Sequence, residues 1–80
     1  MLDDAALIAA RAALPNAQSP RWIDAGTAAD IPFTPDGAGD KAAAERVRAA
    51  LAPRPVDVVV QPLAFRRKTL LVADMDSTMI

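Results

Sequence analysis

The sequence predicts an α+β chain: a helix–strands–helix–strand unit over residues 1–62, then, over 63–80, the first strand of a second, parallel α/β domain. Three observations predict it. Residues 2–14 and 40–52 place small and aliphatic side chains at helical spacing. Val56 to Gln61 alternates between faces, as a half-buried strand does. Leu70-Leu71-Val72-Ala73 is continuously apolar, the pattern of a parallel strand covered on both faces, and runs directly into Asp74-Met75-Asp76-Ser77-Thr78.

Composition limits the alternatives. The chain has 80 residues and is 52% hydrophobic, but nineteen of those apolar residues are alanine. The remaining core is thin, and a partner surface or further chain is expected to complete it. A net charge of −1 gives no general attraction to nucleic acid or membrane. There is no cysteine for a disulfide or a thiolate metal site, and no histidine for the usual general base. No apolar run approaches the roughly 18 residues of a membrane span. Met1-Leu2-Asp3-Asp4 does not resemble a signal peptide, so the expected compartment is the cytoplasm.

In order, the first helix is capped by Asp3 or Asp4, presents Leu2, Ala6, Leu7, Ala9, Ala10, Ala13 and Leu14 on one face, and stops at Pro15. Residues 16–20 form a polar loop. Trp22-Ile23 and Ala29 to Phe33 read as short strands about a turn at Asp24-Ala25-Gly26, with Trp22 as a core anchor and Pro32 placing its strand at a sheet edge. Thr34 to Gly39 is turn chemistry. The second helix has Asp40 as N-cap, an inner stripe of Ala43, Ala44, Val47, Ala50 and Leu51, and an outer face of Lys41, Glu45, Arg46 and Arg48; Pro53 and Pro55 close it. Val56, Val58 and Val60 share one side of the next strand, which Pro62 ends. Leu63 to Lys68 is read as a linker, its Arg66-Arg67-Lys68 run as a solvated approach to the final strand or an anion contact near the site.

The chemistry is concentrated in D-x-D-S-T. Ligands of open α/β sheets bind just beyond the carboxyl ends of the strands. A carboxylate there can attack phosphorus and form an aspartyl-phosphate. A second carboxylate two residues on faces the same pocket and can alternate as acid and base. Two carboxylates beside a phosphate call for a cation, and Mg²⁺ suits an all-oxygen site. The small Ser77 and Thr78 let backbone N–H groups approach phosphate oxygens. Aspartic proteases need a Gly after Asp-Thr or Asp-Ser, and none follows Asp76; an EF-hand needs Gly where Met79 stands. A metal–nucleotide D-x-D of glycosyltransferases does not require the Ser-Thr, and the plain structural alternative is a strand ending in acidic turn residues.

At Leu70 to Ile80, L-L-V-A-D-M-D-S-T-M-I, the chain resembles the first motif of the haloacid dehalogenase superfamily, and within it the bacterial phosphoserine phosphatase family. The resemblance implies Asp74 as nucleophile, Asp76 as general acid/base, and the backbone of Met75, Asp76 and Ser77 as phosphate contacts. It also implies Mg²⁺ on the Asp74 carboxylate and the Asp76 carbonyl, with O-phospho-L-serine as substrate. More loosely, residues 1–62 resemble the ACT-like, amino-acid-binding domain that precedes the motif in long members, with its first strand absent. The later motifs, a Lys among them, find no match: both lysines precede Asp74. The chain alone is therefore expected to be inactive, the N-terminal part of a longer enzyme whose Rossmann-like domain is truncated after one strand. Residues 69–80 are expected to be poorly ordered or to pair in a homodimer through the uncovered strand. Two other readings stand beside this one: a different phosphotransferase of the same superfamily, or a regulatory module that binds an amino acid.

Overall fold

The computed structural model describes residues 2–75, which form two helices and one four-stranded antiparallel sheet. The elements are α1 (Asp4–Ala12), β1 (Arg21–Asp24), β2 (Ala28–Phe33), α2 (Asp40–Leu51), β3 (Val56–Ala64) and β4 (Arg67–Asp74), with strand order β1-β2-β4-β3.

Both helices lie on one face of the sheet. Alternate strand residues (Ala29, Ile31 and Phe33; Val58; Leu70 and Val72) meet Ala6, Leu7, Ala10, Ala43, Ala44, Val47 and Leu51 in a single core. The small alanines let the helices sit close to the sheet and to each other, leaving Phe33, Ile31, Leu70, Val47 and Val72 as the largest fully buried side chains. α1 begins as expected: Asp3 is its N-cap, and its carboxylate accepts the Ala6 N–H at 2.8 Å. α2 begins differently. Its N-cap is Gly39 at φ 97°, and Asp40 is the first helical residue, where its carboxylate suits the helix dipole and receives the Lys68 ammonium at 2.6 Å. Within the expected inner stripe, Ala50 is exposed. Arg48 turns to donate to the Val58 carbonyl of β3, and Arg46 pairs with Asp36.

Three further expectations change. Trp22 is not a core anchor: it is 38% exposed on the short edge strand β1, opposite Ala29. Pro32 lies on an interior strand, yet the reason for expecting an edge survives locally. β1 pairs only with residues 28–30 of β2, so the missing Pro32 N–H falls where no strand follows, and the Pro32 carbonyl accepts Gln18 N–H at 2.8 Å. β3 does not stop at Pro62; it continues through a register shift to Ala64.

The largest correction concerns β4. It is not a parallel strand covered on both faces. It pairs antiparallel with β2 from Ala28↔Ala73 to Phe33↔Lys68, and antiparallel with β3 from Val56↔Asp74 to Ala64↔Arg67. Leu63, at the expected domain boundary, lies inside β3, and the expected linker is the end of a hairpin closed by Phe65 and Arg66, the latter at φ 60°. A two-residue turn makes this antiparallel pairing the cheapest one to form, because it closes the shortest loop. Read cyclically from β4, the elements run β-α-β-β-α-β, with β4 in the central slot that the first strand of that arrangement occupies. No helix among the described residues is long and apolar enough to cross a membrane.

Candidate functional site

Asp74 closes β4. Side chains alternate along a strand, so Asp74 falls on the same face as Leu70 and Val72, the face that the helices cover. Its residue is 5% exposed. Two turns hold it there: the Asp74 N–H donates to the Thr27 carbonyl at 2.8 Å, and the Met75 N–H donates to the Pro55 carbonyl at 3.1 Å. The neighbouring Gly26 carbonyl accepts the Leu2 N–H at 2.8 Å, so the start of the chain and the end of β4 are fastened to adjacent carbonyls of the β1–β2 turn. Gly26 takes the left-handed conformation that this turn requires, at φ 77°. Close by in sequence, Arg54 reaches Asp3 at 3.4 Å. The Asp3 carboxyl is held below its ordinary value first by the Ala6 N–H and then by the Arg54 guanidinium.

Of the residues implicated from sequence, Asp74 and Met75 are described. Asp76 and Ser77, with Thr78, lie outside the described residues, so the expected pairing of two carboxylates is not on view. The Met75 N–H, expected on a phosphate oxygen, is donated to Pro55 in this arrangement. Arg66, Arg67 and Lys68 sit at the opposite end of β4 from Asp74. Seven residue steps of strand, about 23 Å at roughly 3.3 Å each, separate them from the carboxylate and disfavour the anion-contact alternative. Their surroundings account for them otherwise: Arg66 lies over the Phe65 ring at 5.2 Å, and Lys68 pairs with Asp40.

A Mg²⁺ site needs several oxygen ligands in near-octahedral geometry. The described residues contribute Asp74 from the expected pair, and among them no group of three or more Asp, Glu, His or Cys side chains is placed to share an ion. They do not by themselves fit a Mg²⁺ site.

Sequence reasoning missed one buried polar cluster. On the sheet face opposite the helices, Asp30 is buried and receives two hydrogen bonds from Arg21, at 2.8 and 3.2 Å. Asp30 raises the Arg21 pKa by this hydrogen bonding. The signal was present: a hairpin centred on Ala25-Gly26 sets Trp22 opposite Ala29 and Arg21 opposite Asp30. The same row continues across the open face through Leu71 to Val59. It is an ion pair that bridges two strands. Comparison with family models, curated proteins and solved structures gives no match for this chain.

Proposed function

We propose that β4 and the residues following it carry the first catalytic motif of a Mg²⁺-dependent phosphoserine phosphatase, and that the activity belongs to a longer cytoplasmic polypeptide that supplies the remaining groups. One observation carries the reading: an apolar strand that ends on Asp74 and continues as M-D-S-T. In the proposed reaction the Asp74 carboxylate attacks phosphorus as the P–O bond to serine breaks, and Asp76 protonates the departing alkoxide. Asp76 then takes a proton from water, whose oxygen attacks phosphorus and releases phosphate from Asp74. The products are L-serine and inorganic phosphate.

The test begins with the intact mass of the polypeptide in cells, which fixes the chain to assay. Hydrolysis of O-phospho-L-serine is then compared for that chain and its Asp74→Asn variant, with and without Mg²⁺. Turnover should all but vanish in the variant; equal turnover refutes the assignment. Other phosphomonoesters hydrolysed in preference would favour the broader haloacid dehalogenase phosphotransferase reading. The 80-residue chain itself should show no turnover above its own Asp74→Asn control.

The cyclic β-α-β-β-α-β order favours a second reading in which the unit of residues 1–62, with β4 in the strand position expected to be absent, is an ACT-like domain that binds an amino acid. Saturable calorimetric binding of serine would support it, and no heat at millimolar serine would argue against it.

A further inference from the structure

β3 is an edge strand of the sheet that the described residues form, and its nine residues make it more than twice as long as β1 at the other edge. The direction of its backbone groups follows from its neighbour. The Asp74 N–H goes to Thr27 and the Met75 N–H to Pro55, so even-numbered residues of β4 turn towards β2 and odd-numbered ones towards β3. Odd-numbered residues of β3 therefore bond to β4, and Val56, Val58, Val60 and Pro62 turn their backbone groups outward. Two observations agree with this. Pro62 has no N–H that a ladder would require, and the Val58 carbonyl accepts a hydrogen bond from Arg48 at 3.2 Å. A long outer edge of this kind is a template for another strand. On the open face its side chains are Asp57, Val59 and Gln61, all exposed, Val59 by 44%. Read in the opposite direction, D-V-Q becomes Q-V-D. An antiparallel copy therefore sets Val59 against Val59, and each Asp57 carboxylate against the Gln61 amide of the other copy.

We propose that two copies of this chain pair antiparallel through the outer edges of β3, about a two-fold axis at Val59. Each Val58 then exchanges both main-chain hydrogen bonds with Val60 of the second copy, and each Pro62 carbonyl accepts the Val56 N–H of the second copy. At the Val58 carbonyl, pairing replaces the Arg48 donor with the Val60 N–H and returns the guanidinium to water. Neighbouring registers are poorer. An axis at Val58 sets Asp57 against Val59 and brings the two Arg48 side chains together. An axis at Val60 sets Asp57 against Leu63, and Val58 against Pro62, which has no N–H to donate. A two-fold contact closes on itself, so assembly stops at the dimer. One pair of strands buries less than the roughly 800 Å² per partner of a stable interface, so the dimer is a weak one. The inference is independent of the phosphatase reading.

Sedimentation equilibrium of the 80-residue chain at neutral pH tests the pairing. A monomer–dimer equilibrium is expected, populated below about 1 mM, with no larger species. Gln61 is exposed, so its variants leave the core untouched. Gln61→Lys places an ammonium opposite Asp57 twice in each dimer and should tighten it by about fivefold. Gln61→Asp places carboxylate against carboxylate and should weaken it by about the same factor. Amide exchange locates the contact. The outward Val58 and Val60 N–H groups should gain protection as concentration rises, while the Val59 N–H, bonded to β4, stays protected throughout. A chain that is monomeric at about 1 mM overturns the proposal. So does a dimer whose Kd responds to the two Gln61 variants alike or not at all. So do Val58 and Val60 amides already protected in dilute monomer, because another segment of the same chain would then hold the edge.

Discussion

Replacing Leu70 with alanine tests whether β4 and the rest of the chain form one cooperative unit. Leu70 is fully buried in the central strand, opposite Ile31 on one side and Val60 on the other. The substitution removes three carbons, about 2.4 kcal/mol of transfer free energy at ~0.8 kcal/mol each. The cavity left against the helices adds to this, for a total of about 3–4 kcal/mol. A chain of 80 residues has roughly 4–12 kcal/mol of stability, so the loss is a large fraction of the whole. The assay is urea unfolding followed by fluorescence of Trp22, the one tryptophan. Trp22 is on β1, two strands from Leu70, so its emission reports on the far edge of the sheet and not on the cavity. At an m-value of about 1 kcal/mol/M, the midpoint should fall by about 3 M, or the chain should unfold without denaturant. Leu63→Ala, at a half-exposed position beside the hairpin turn, should shift it by less than about 0.5 kcal/mol. An unchanged Trp22 midpoint in Leu70→Ala would refute the argument: β4 would then be a separate, independently stable or unstable segment.

Thr69→Val should stabilise the chain by about 0.5–1 kcal/mol in the same urea assay, because the buried Thr69 Oγ1 has no hydrogen-bond partner and an apolar isostere loses nothing. Asp3→Ala should lower the thermal midpoint at neutral pH through the lost cap of α1. Asp3 and Asp36 are both held below their ordinary value of 3.8, chiefly by backbone N–H groups of Ala6 and Ala38. Their contribution is therefore present above that pH and lost as pH falls through the depressed folded values, so a D3N/D36N variant should show a shallower loss of stability on acidification. In dilute monomer the amides of Leu70 to Ala73 should exchange slowly and independently of concentration, since β2 and β3 flank that strand within one chain. Protection that falls on dilution would instead point to pairing between copies.

Local chemistry made much of this fold legible. Asp3 before an apolar stripe, Pro15 after it, and the Ala43, Ala44, Val47 and Leu51 stripe followed by Pro53 and Pro55 are signals within a few residues of the structure they specify. The alternation of Val56, Val58 and Val60 is likewise a short-range pattern, as is the apolar run of β4 ending on Asp74. The sequence also placed the candidate nucleophile correctly at a strand end, because an apolar run followed by acid marks that point whatever the strand pairs with.

Tertiary structure decided the neighbours. An apolar run such as Leu70 to Ala73 is compatible with helices on both faces or with two flanking strands that bury its edges, and period alone does not separate them. Pairing on both edges buries Leu70 and Val72 under the helices and half-buries Leu71 on the open face, so burial came from the middle position in the sheet and not from a second helical layer. The same holds for Pro32, interior by order but edge-like because β1 is short, and for Trp22, left partly exposed because β1 is the edge strand of the sheet that the described residues form. Arg21 and Asp30 are nine residues apart and meet only through the hairpin register. Strand order and direction depend on which hydrogen-bonding edges find partners at the lowest cost in chain closure, a property of all four strands together and of no single segment.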